Sequence, residues 1–482
     1  MLNAFNFQHI PKNKTKIVCT IGPATEKVQV IKRLIDAGMN IARLNFSHGD
    51  FQYHKKLIKN IRQAALETKK PVAIMADLPG PKMRIGFLKK EPVVLEKGQD
   101  FILTTEDVIG DSHKVSVSIK GLPNVIKKGN SLYLNDGLIQ LEVVEVKDKD
   151  IVCKVISGGE IRSKKGLNIP GVELKESVFT EKDKLCLEFA IKNGVDAVSQ
   201  SFVSKAADIK NIRSAANRIG KVPFIIAKIE RASSIDRLDE IIEEADGIMI
   251  ARGDLGVEIP IERIALVQKL ITKKALLKGK PVITATQMLV SMTKSKRPTR
   301  AEATDVANAI LDGTDAVMLS EESATGKYPI EATEMLSRIA QETEHHIDSK
   351  MLARKIFKQD SANFGEFVEL MAASLRLIAE RMKEYVIFCP TDTGNTARAL
   401  SRYRFDTWIL GISSSKDTCD QLMFSFGVLP VFVEDKPISW QKQITEIALR
   451  YNIKAKYALL IEGPSKAHPM LDHRIEILKL KS

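Results

Sequence analysis

Eight short runs of apolar, largely β-branched residues punctuate the chain: Lys16–Ile21, Asn40–Phe46, Val72–Asp77, Val195–Phe202, Phe224–Glu230, Gly247–Arg252, Val282–Thr286 and Ala316–Ser320. Stretches with apolar positions at helical spacing alternate with them: Glu26–Ala37, His54–Thr68, Lys182–Asn193, Ala206–Arg218, Ser234–Glu244, Ile264–Lys278, Arg300–Asp312 and Ile330–His346. Fully apolar runs of this length suit strands buried on both faces. Strictly alternating with helices, they predict an α/β protein built on a (β/α)8 TIM barrel, with a doubly wound open sheet as the alternative. Thr299-x-x-Glu302 predicts a capping box at the start of the seventh helix.

The rhythm breaks once. From Leu78 to Gly171 there is no helical period, only short alternating segments (Val115–Ile119, Leu132–Leu134, Gln140–Val146, Val152–Ile156) separated by turn residues such as Asn135-Asp136-Gly137. This predicts a small β-barrel inserted after the third strand, on the loop side of the main barrel, where it would close as a lid. Near His346 a second α/β pattern begins, with strands at Tyr385–Pro390, Trp408–Ser413, Val428–Val433, Tyr457–Glu462 and Arg474–Leu480. Helical patterns at Glu366–Arg381, Thr396–Tyr403, Asp417–Phe426 and Ser439–Tyr451 lie between them. The expected organisation is an N-terminal arm (1–14), a barrel (15–77 and 172–348), an inserted β-domain (78–171) and a C-terminal α/β domain (349–482).

Composition narrows the class. The 482 residues are 44% hydrophobic and 28% charged, with no apolar run long enough to span a bilayer, so no membrane partner is expected. The start, MLNAFNFQHIPKNKTK, has no apolar core behind its basic residues, and five scattered cysteines have neither C-x-x-C nor metal-ligand spacing. A reducing, cytoplasmic setting is the expectation. The net charge of +13 is spread through helices beside acidic partners, and only 6% of residues are aromatic. Nucleic acid is therefore not an expected partner, and phosphorylated metabolites are the better use of that charge.

Candidate chemistry lies where barrel strands end, since the C-terminal face carries the active site in this architecture. The fifth and sixth runs each finish with a cation and, two residues on, a carboxylate: Lys228 and Glu230, then Arg252 and Asp254. A period of two would set each pair on one strand face, the two carboxylates side by side and flanked by the two cations. Hard oxygen ligands of this kind suit Mg²⁺ or Mn²⁺, and the cations suit an anionic substrate. Other strand ends add Arg43, Asn45, Ser47, His48, Asp77, Ser201, Thr284, Thr286, Ser320 and Glu322. Cations, hydroxyls and carboxylates in this proportion form an inventory for phosphoryl transfer. Neither a G-x-x-x-x-G-K-[ST] loop nor a G-x-G-x-x-G fingerprint occurs, so a nucleotide would be held by other means, between barrel and lid.

Eight longer motifs run through the chain: TKIVCTIGPAT (Thr15–Thr25), NIARLNFSHG (Asn40–Gly49), DLPGPKMRIG (Asp77–Gly86), KKGLNIPG (Lys164–Gly171), AKIERA (Ala227–Ala232), ARGDLGVEIP (Ala251–Pro260), ITATQML (Ile283–Leu289) and PTRAEATDVANAILDGTDAVMLSEESATG (Pro298–Gly326). On these motifs the chain resembles the pyruvate kinase family along essentially its whole length. The resemblance implies transfer of the phosphoryl group from phosphoenolpyruvate to ADP, giving pyruvate and ATP. Glu230 and Asp254 would ligate the divalent metal, and Lys228 and Arg43 would contact the transferring group. Gly253, Asp254 and Thr286 would hold the substrate carboxylate, with Ser201 beside them. Thr286 would lie on the proton path to C3, and Asn45, His48 and Lys165 on the nucleotide side.

One departure bears on a second cation. Members that require K⁺ bind it through residues at the positions of Asn45, Ser47, Asp77 and Leu78, and carry glutamate at the position of Lys82. Here Leu78, Pro79, Lys82 and Ile85 replace the Thr, Lys, Glu and Thr of that group, so the Lys82 ammonium is expected to replace K⁺. In the C-terminal domain, Thr391, Thr393, Asn395 and Thr396 align with a loop that grips an effector phosphate. Gly463–Pro469 replaces the family's usual glycine-rich loop, which favours a sugar monophosphate or AMP over a bisphosphate. The resemblance also implies a homotetramer. A metal-dependent pyruvate aldolase or lyase, and a catalytically inactive effector-binding homologue, are the rival readings.

Overall fold

The computed structural model of the protein describes residues 10–172, 177–360, 367–434, 440–464 and 472–480. Eight parallel strands close a barrel: Lys16–Thr20, Ile41–Asn45, Ala73–Leu78, Ala197–Gln200, Phe224–Ile229, Gly247–Ala251, Val282–Ala285 and Ala316–Leu319. The last strand pairs with the first, Lys16 opposite Ala316, which decides for the barrel over the open sheet. Alternation along each strand divides the core in two. Ile17, Cys19, Leu44 and Ile74 face outward against helix residues such as Leu34, Leu57 and Ile61. Val18, Ile41, Met75, Phe224, Met249, Ile283 and Met318 fill the interior. Helix starts follow their sequence signals: Thr180 with Asp183 and Thr299 with Glu302 form capping boxes, and the Asp50 carboxylate accepts from the Tyr53 amide.

The barrel floor carries a repeated device. The residue just before each even-numbered strand accepts, through its side chain, from a backbone N–H of the preceding strand. Asn40 takes Ile17, Asp196 takes Ile74, Asp246 takes Ile225 and Asp315 takes Val282, at 2.6–3.0 Å. The three aspartates among them also each hold an arginine: Asp196 holds Arg62, Asp246 holds Arg213 and Asp315 holds Arg404. Arg404 belongs to the C-terminal domain, so this last pair binds the two domains, joined by the Phe426 amide, 2.9 Å from Asp315 Oδ1. Met423 and Phe424 of the same domain belong to the barrel's interior cluster, with Phe424 stacked on Phe224 at 5.3 Å.

The segment after the third strand folds around its own core, including Ile85, Phe101, Leu132 and Val155. It has a six-stranded and a two-stranded sheet. Strands Val93–Leu95, Asp100–Thr104, Gly159–Ile161 and Leu167–Asn168 were not anticipated from the sequence. This unit reaches back to the barrel mouth: a Cβ on Gly137 would lie 3.3 Å from Val257, and Arg231 donates to the Val172 carbonyl at 2.9 Å. The C-terminal sheet has five strands, four parallel and Arg474–Lys479 antiparallel at one edge. Most of the N-terminal arm (residues 1–9), Glu366, Ser439 and the Ser465–Pro469 part of the C-terminal loop lie outside the described residues.

Candidate active site

Asp77, at the end of the third strand, is the hub of the barrel mouth. It is 2% exposed and its carboxylate meets two cations from neighbouring elements. Arg43 donates to Asp77 Oδ2 through Nε at 2.9 Å and Nη2 at 2.5 Å, and to Thr20 Oγ1 through Nη1 at 2.9 Å. Lys228 Nζ lies 3.2 Å from Asp77 Oδ1, 2.8 Å from Glu230 Oε1 and 2.8 Å from Ser201 Oγ. Ser199 donates to Asp77 Oδ1, and Ser201 donates to the Leu78 carbonyl. Burial works against the Asp77 charge, but Lys228 and Arg43 hold its carboxyl below the usual carboxylate range. Burial likewise works against the Lys228 ammonium, and Asp77 and Glu230 hold its pKa above that of an ordinary lysine. Lys228 is therefore held as a fixed cation.

Glu230 is 1% exposed and its Oε2 accepts from the Phe202 amide at 2.8 Å. Burial pushes its carboxyl up; Lys228 opposes this, while Asp254 and Asp77 reinforce it. Asp254 stands in the short helix Arg252–Glu258, which begins where the sixth strand stops. Its Oδ1 takes the Lys82 ammonium at 3.0 Å. The Asp254 carboxylate thus repels the charge on Glu230 and raises its cost of ionisation. A divalent cation relieves that repulsion. Among the described residues no set of three or more His, Cys, Asp or Glu side chains forms a complete cage. Two carboxylates, with the remaining positions left to water and substrate oxygens, fit Mg²⁺.

The pairing of Arg252 with Asp254 on one strand face is not found. The strand ends at Ala251, and with the helical turn that follows, residues two apart diverge. Arg252 points instead to the seventh strand's exit, bonded to Asp305 and to the Ala285 and Thr286 carbonyls. Two other strand-end residues also leave the mouth. Thr284 bonds Thr314, and Glu322 accepts from the Leu289 and Ser320 amides. Thr286 remains: its hydroxyl accepts from the Gly253 amide at 2.8 Å and donates to the Ala285 carbonyl at 2.6 Å. Thr286 and Gln287 have φ of 68° and 53°, and Phe202, beside Glu230, has 59°. Left-handed backbone at a β-branched residue is strained by about 1–3 kcal/mol, and here it gathers at the mouth.

Asn45 Oδ1 accepts from the Ser47 amide, and the His48 amide bonds the Asn45 carbonyl, so these three form one turn. Partial burial and the cations Arg84, Arg43, Lys182 and Lys82 depress the His48 pKa, marking a positive rim. Leu78 is buried and offers no side-chain oxygen. A Cβ on Gly166 would come 3.3 Å from Lys82 Cε, so Lys165 is one residue from the group that reaches Asp254. Thr20, Ser199 and the Phe202 amide were missed from the sequence. Thr20 ends the first strand and Ser199 sits two before Ser201, so the strand-end rule could have found both.

In the C-terminal domain a cavity of about 500 Å³ is lined by Thr391, Thr393, Asn395 and Thr396, with Trp440 and His473 opposite. Thr391 Oγ1 accepts from the Gly394 amide, and Arg398 holds the Thr393 carbonyl and Asn395 Oδ1.

The family model for the pyruvate kinase barrel domain matches residues 12–333, and that for the pyruvate kinase alpha/beta domain matches residues 369–461. A pyruvate kinase of Thermococcus litoralis is 47% identical over 429 residues, 88% of this chain and 90% of that one. One of Clostridium acetobutylicum is 42% identical, covering 88% and 89%. The crystal structure of a pyruvate kinase from Cryptosporidium parvum superposes with a TM-score of 0.91 at 36% identity, over 98% of this chain and 97% of that one.

Proposed function

The chain belongs to the pyruvate kinase family and transfers the phosphoryl group of phosphoenolpyruvate to ADP, and from that premise we propose how its residues divide the work. The family uses Mg²⁺, and Glu230 and Asp254 would hold it. When bound, such a cation polarises the phosphoryl and enolate oxygens. Arg43 and Lys228, fixed by Asp77, face the transferring group and neutralise charge as it moves. Ser201 orients the Lys228 ammonium. The amides of Gly253 and Asp254 and the hydroxyl of Thr286 receive the substrate carboxylate. Asn45, His48 and Lys165 take the nucleotide phosphates, which the positive rim supports. After transfer the enolate needs a proton at C3. Thr286 delivers it through a water chain, since a hydroxyl is too weak an acid to act alone.

The observation that carries this reading is Lys228, buried yet held charged between Asp77 and Glu230. Replacing it tests the reading: Lys228→Met should bind phosphoenolpyruvate and Mg²⁺ but lose at least about a hundredfold in turnover. Turnover near that of the parent would exclude Lys228 from the transfer step.

Several finer assignments follow. Activity is independent of K⁺, supported by the Lys82 ammonium on Asp254 and by a buried Leu78 where an oxygen ligand would be needed. The Thr391–Thr396 loop binds a phosphate-bearing effector, a sugar monophosphate or AMP, supported by its cavity and its turned amides. Assembly as a homotetramer rests on family resemblance. No helix of the described residues is long and apolar enough to cross a membrane. A reducing cytoplasm suits five free, buried cysteines.

A further inference from the structure

Arg252 is the cation of the ARGDLG motif that the metal and phosphoryl sites leave unused. Its side chain is 10% exposed, and its Nε and Nη2 donors converge on one turn. Nε lies 3.3 Å from the carbonyls of both Ala285 and Thr286, and Nη2 lies 2.7 Å from the Thr286 carbonyl. Nη1 is anchored by Asp305, 2.7 Å away, and by Gln268 at 3.3 Å. The next residue, Gly253, donates its amide to the Thr286 hydroxyl at 2.8 Å. Two consecutive residues therefore grip the same threonine from opposite sides, one by its carbonyl and one by its hydroxyl. The turn so gripped has two successive non-glycine residues with positive φ, the first β-branched. Such backbone relaxes unless its surroundings over-determine it.

We propose that Arg252 is a positioning residue for the protonation half of the reaction: it locks the Thr286 turn so that the hydroxyl meets the water chain at C3 of the enolate. This rests on the reading of Thr286 given above. The planar guanidinium serves both carbonyls and the Asp305 carboxylate at once, which a lysine ammonium on a flexible stem does not reproduce. Phosphoryl transfer involves Lys228, Arg43 and the carboxylates, none of which Arg252 touches. The two halves of the reaction should therefore separate in an Arg252 variant.

The test compares Arg252→Lys, Thr286→Val and the parent enzyme in two assays. One follows exchange of pyruvate methyl protons with D₂O by NMR, with Mg²⁺ and ATP present. The other follows ATP formation from phosphoenolpyruvate and ADP in a single turnover. Arg252→Lys should slow exchange at least about tenfold, while single-turnover ATP formation at saturating phosphoenolpyruvate stays within about threefold; the KM for phosphoenolpyruvate should rise to the extent that the Thr286 contact to the substrate carboxylate loosens. Equal losses in both assays would make Arg252 a merely structural residue, and parental rates in both would overturn the proposal as well. If Thr286→Val exchanges like the parent, the Thr286 reading fails; if it loses exchange and Arg252→Lys does not, only the role of Arg252 fails. Should Arg252→Lys not fold, Asp305→Asn weakens the same anchor and carries the same comparison.

Discussion

Replacing Lys82 by glutamine removes one positive charge from the mouth and leaves Asp254 without its ammonium. The pair is 3.0 Å apart, with side chains 27% and 24% exposed. Coulomb attraction at that distance ranges from about 1 kcal/mol in water to about 5 kcal/mol at an effective dielectric of 20. Partial exposure puts the net value toward the lower end, roughly 1.5–3 kcal/mol for a hydrogen bond to a charged group. If that charge is needed when the phosphoryl oxygens arrive, kcat/KM should fall about ten- to a hundredfold. The assay is pyruvate release coupled to lactate dehydrogenase, with KCl or tetramethylammonium chloride at equal ionic strength. The parent should turn over equally in both. Lys82→Gln should drop in the absence of K⁺ and recover in part with it. Recovery should be only partial because Leu78 supplies no oxygen, and Leu78→Thr combined with Lys82→Glu should extend it. A parent enzyme strongly activated by K⁺, or a Lys82→Gln variant within about twofold of the parent without K⁺, would refute the charge-substitution argument.

Three further predictions test other parts of the structure. Glu230→Gln should weaken Mn²⁺ binding, read by electron paramagnetic resonance, and lower turnover at least about a hundredfold; unchanged Mn²⁺ affinity would remove Glu230 from the metal site. Asp315→Ala strips partners from Val282, Arg404 and Phe426, so thermal unfolding should show a loss of roughly 3–5 kcal/mol, and an unchanged midpoint would deny it an anchoring role. Asp420 lies buried among Asp196, Arg62, Lys416 and Asp417; burial first and Asp196 next push its carboxyl up to about 8. A carboxyl raised in the fold loses stability as pH climbs from its unfolded value near 4 toward 8. Asp420→Asn should therefore match the parent's stability near pH 4 and exceed it by a growing margin toward pH 8, on the order of several kcal/mol if the carboxyl ionises only near 8. A constant difference across that range would show that Asp420 does not titrate there.

The barrel was legible because its eight apolar runs are bounded and helices alternate between them. The β-domain was read less completely because strands such as Val93–Leu95 and Gly159–Ile161 are three residues long, too short for alternation to register. Extending the two-residue period past Ala251 misplaced Arg252, since a helix starts inside the motif itself. That error concealed the clamp on Thr286. The floor device also carries a sequence signal, away from the strand C-termini: Asn40, Asp196, Asp246 and Asp315 each stand just before an even-numbered strand. Nothing local announces that Met423 and Phe424 plug the barrel, because their partner Phe224 lies about two hundred residues away in the chain.

The charge inventory of the mouth explains why metal and substrate belong together. Three cations, Arg43, Lys228 and Lys82, face three carboxylates, Asp77, Glu230 and Asp254, and each cation is within 3.3 Å of a carboxylate oxygen. The protein alone is therefore balanced there, which is what lets so many charges share a poorly solvated space. A phosphorylated carboxylate entering by itself would leave the site strongly negative, and a divalent cation by itself strongly positive. Together they nearly cancel, and both must displace ammonium–carboxylate contacts to bind. The same arithmetic gives Lys82 its meaning. Take its charge away and the mouth falls one positive charge short, a deficit that a monovalent cation near Asp77 can fill only if oxygen ligands are at hand. Leucine at position 78 withholds one of them, so if Lys82 supplies the charge, added K⁺ should give the parent enzyme little.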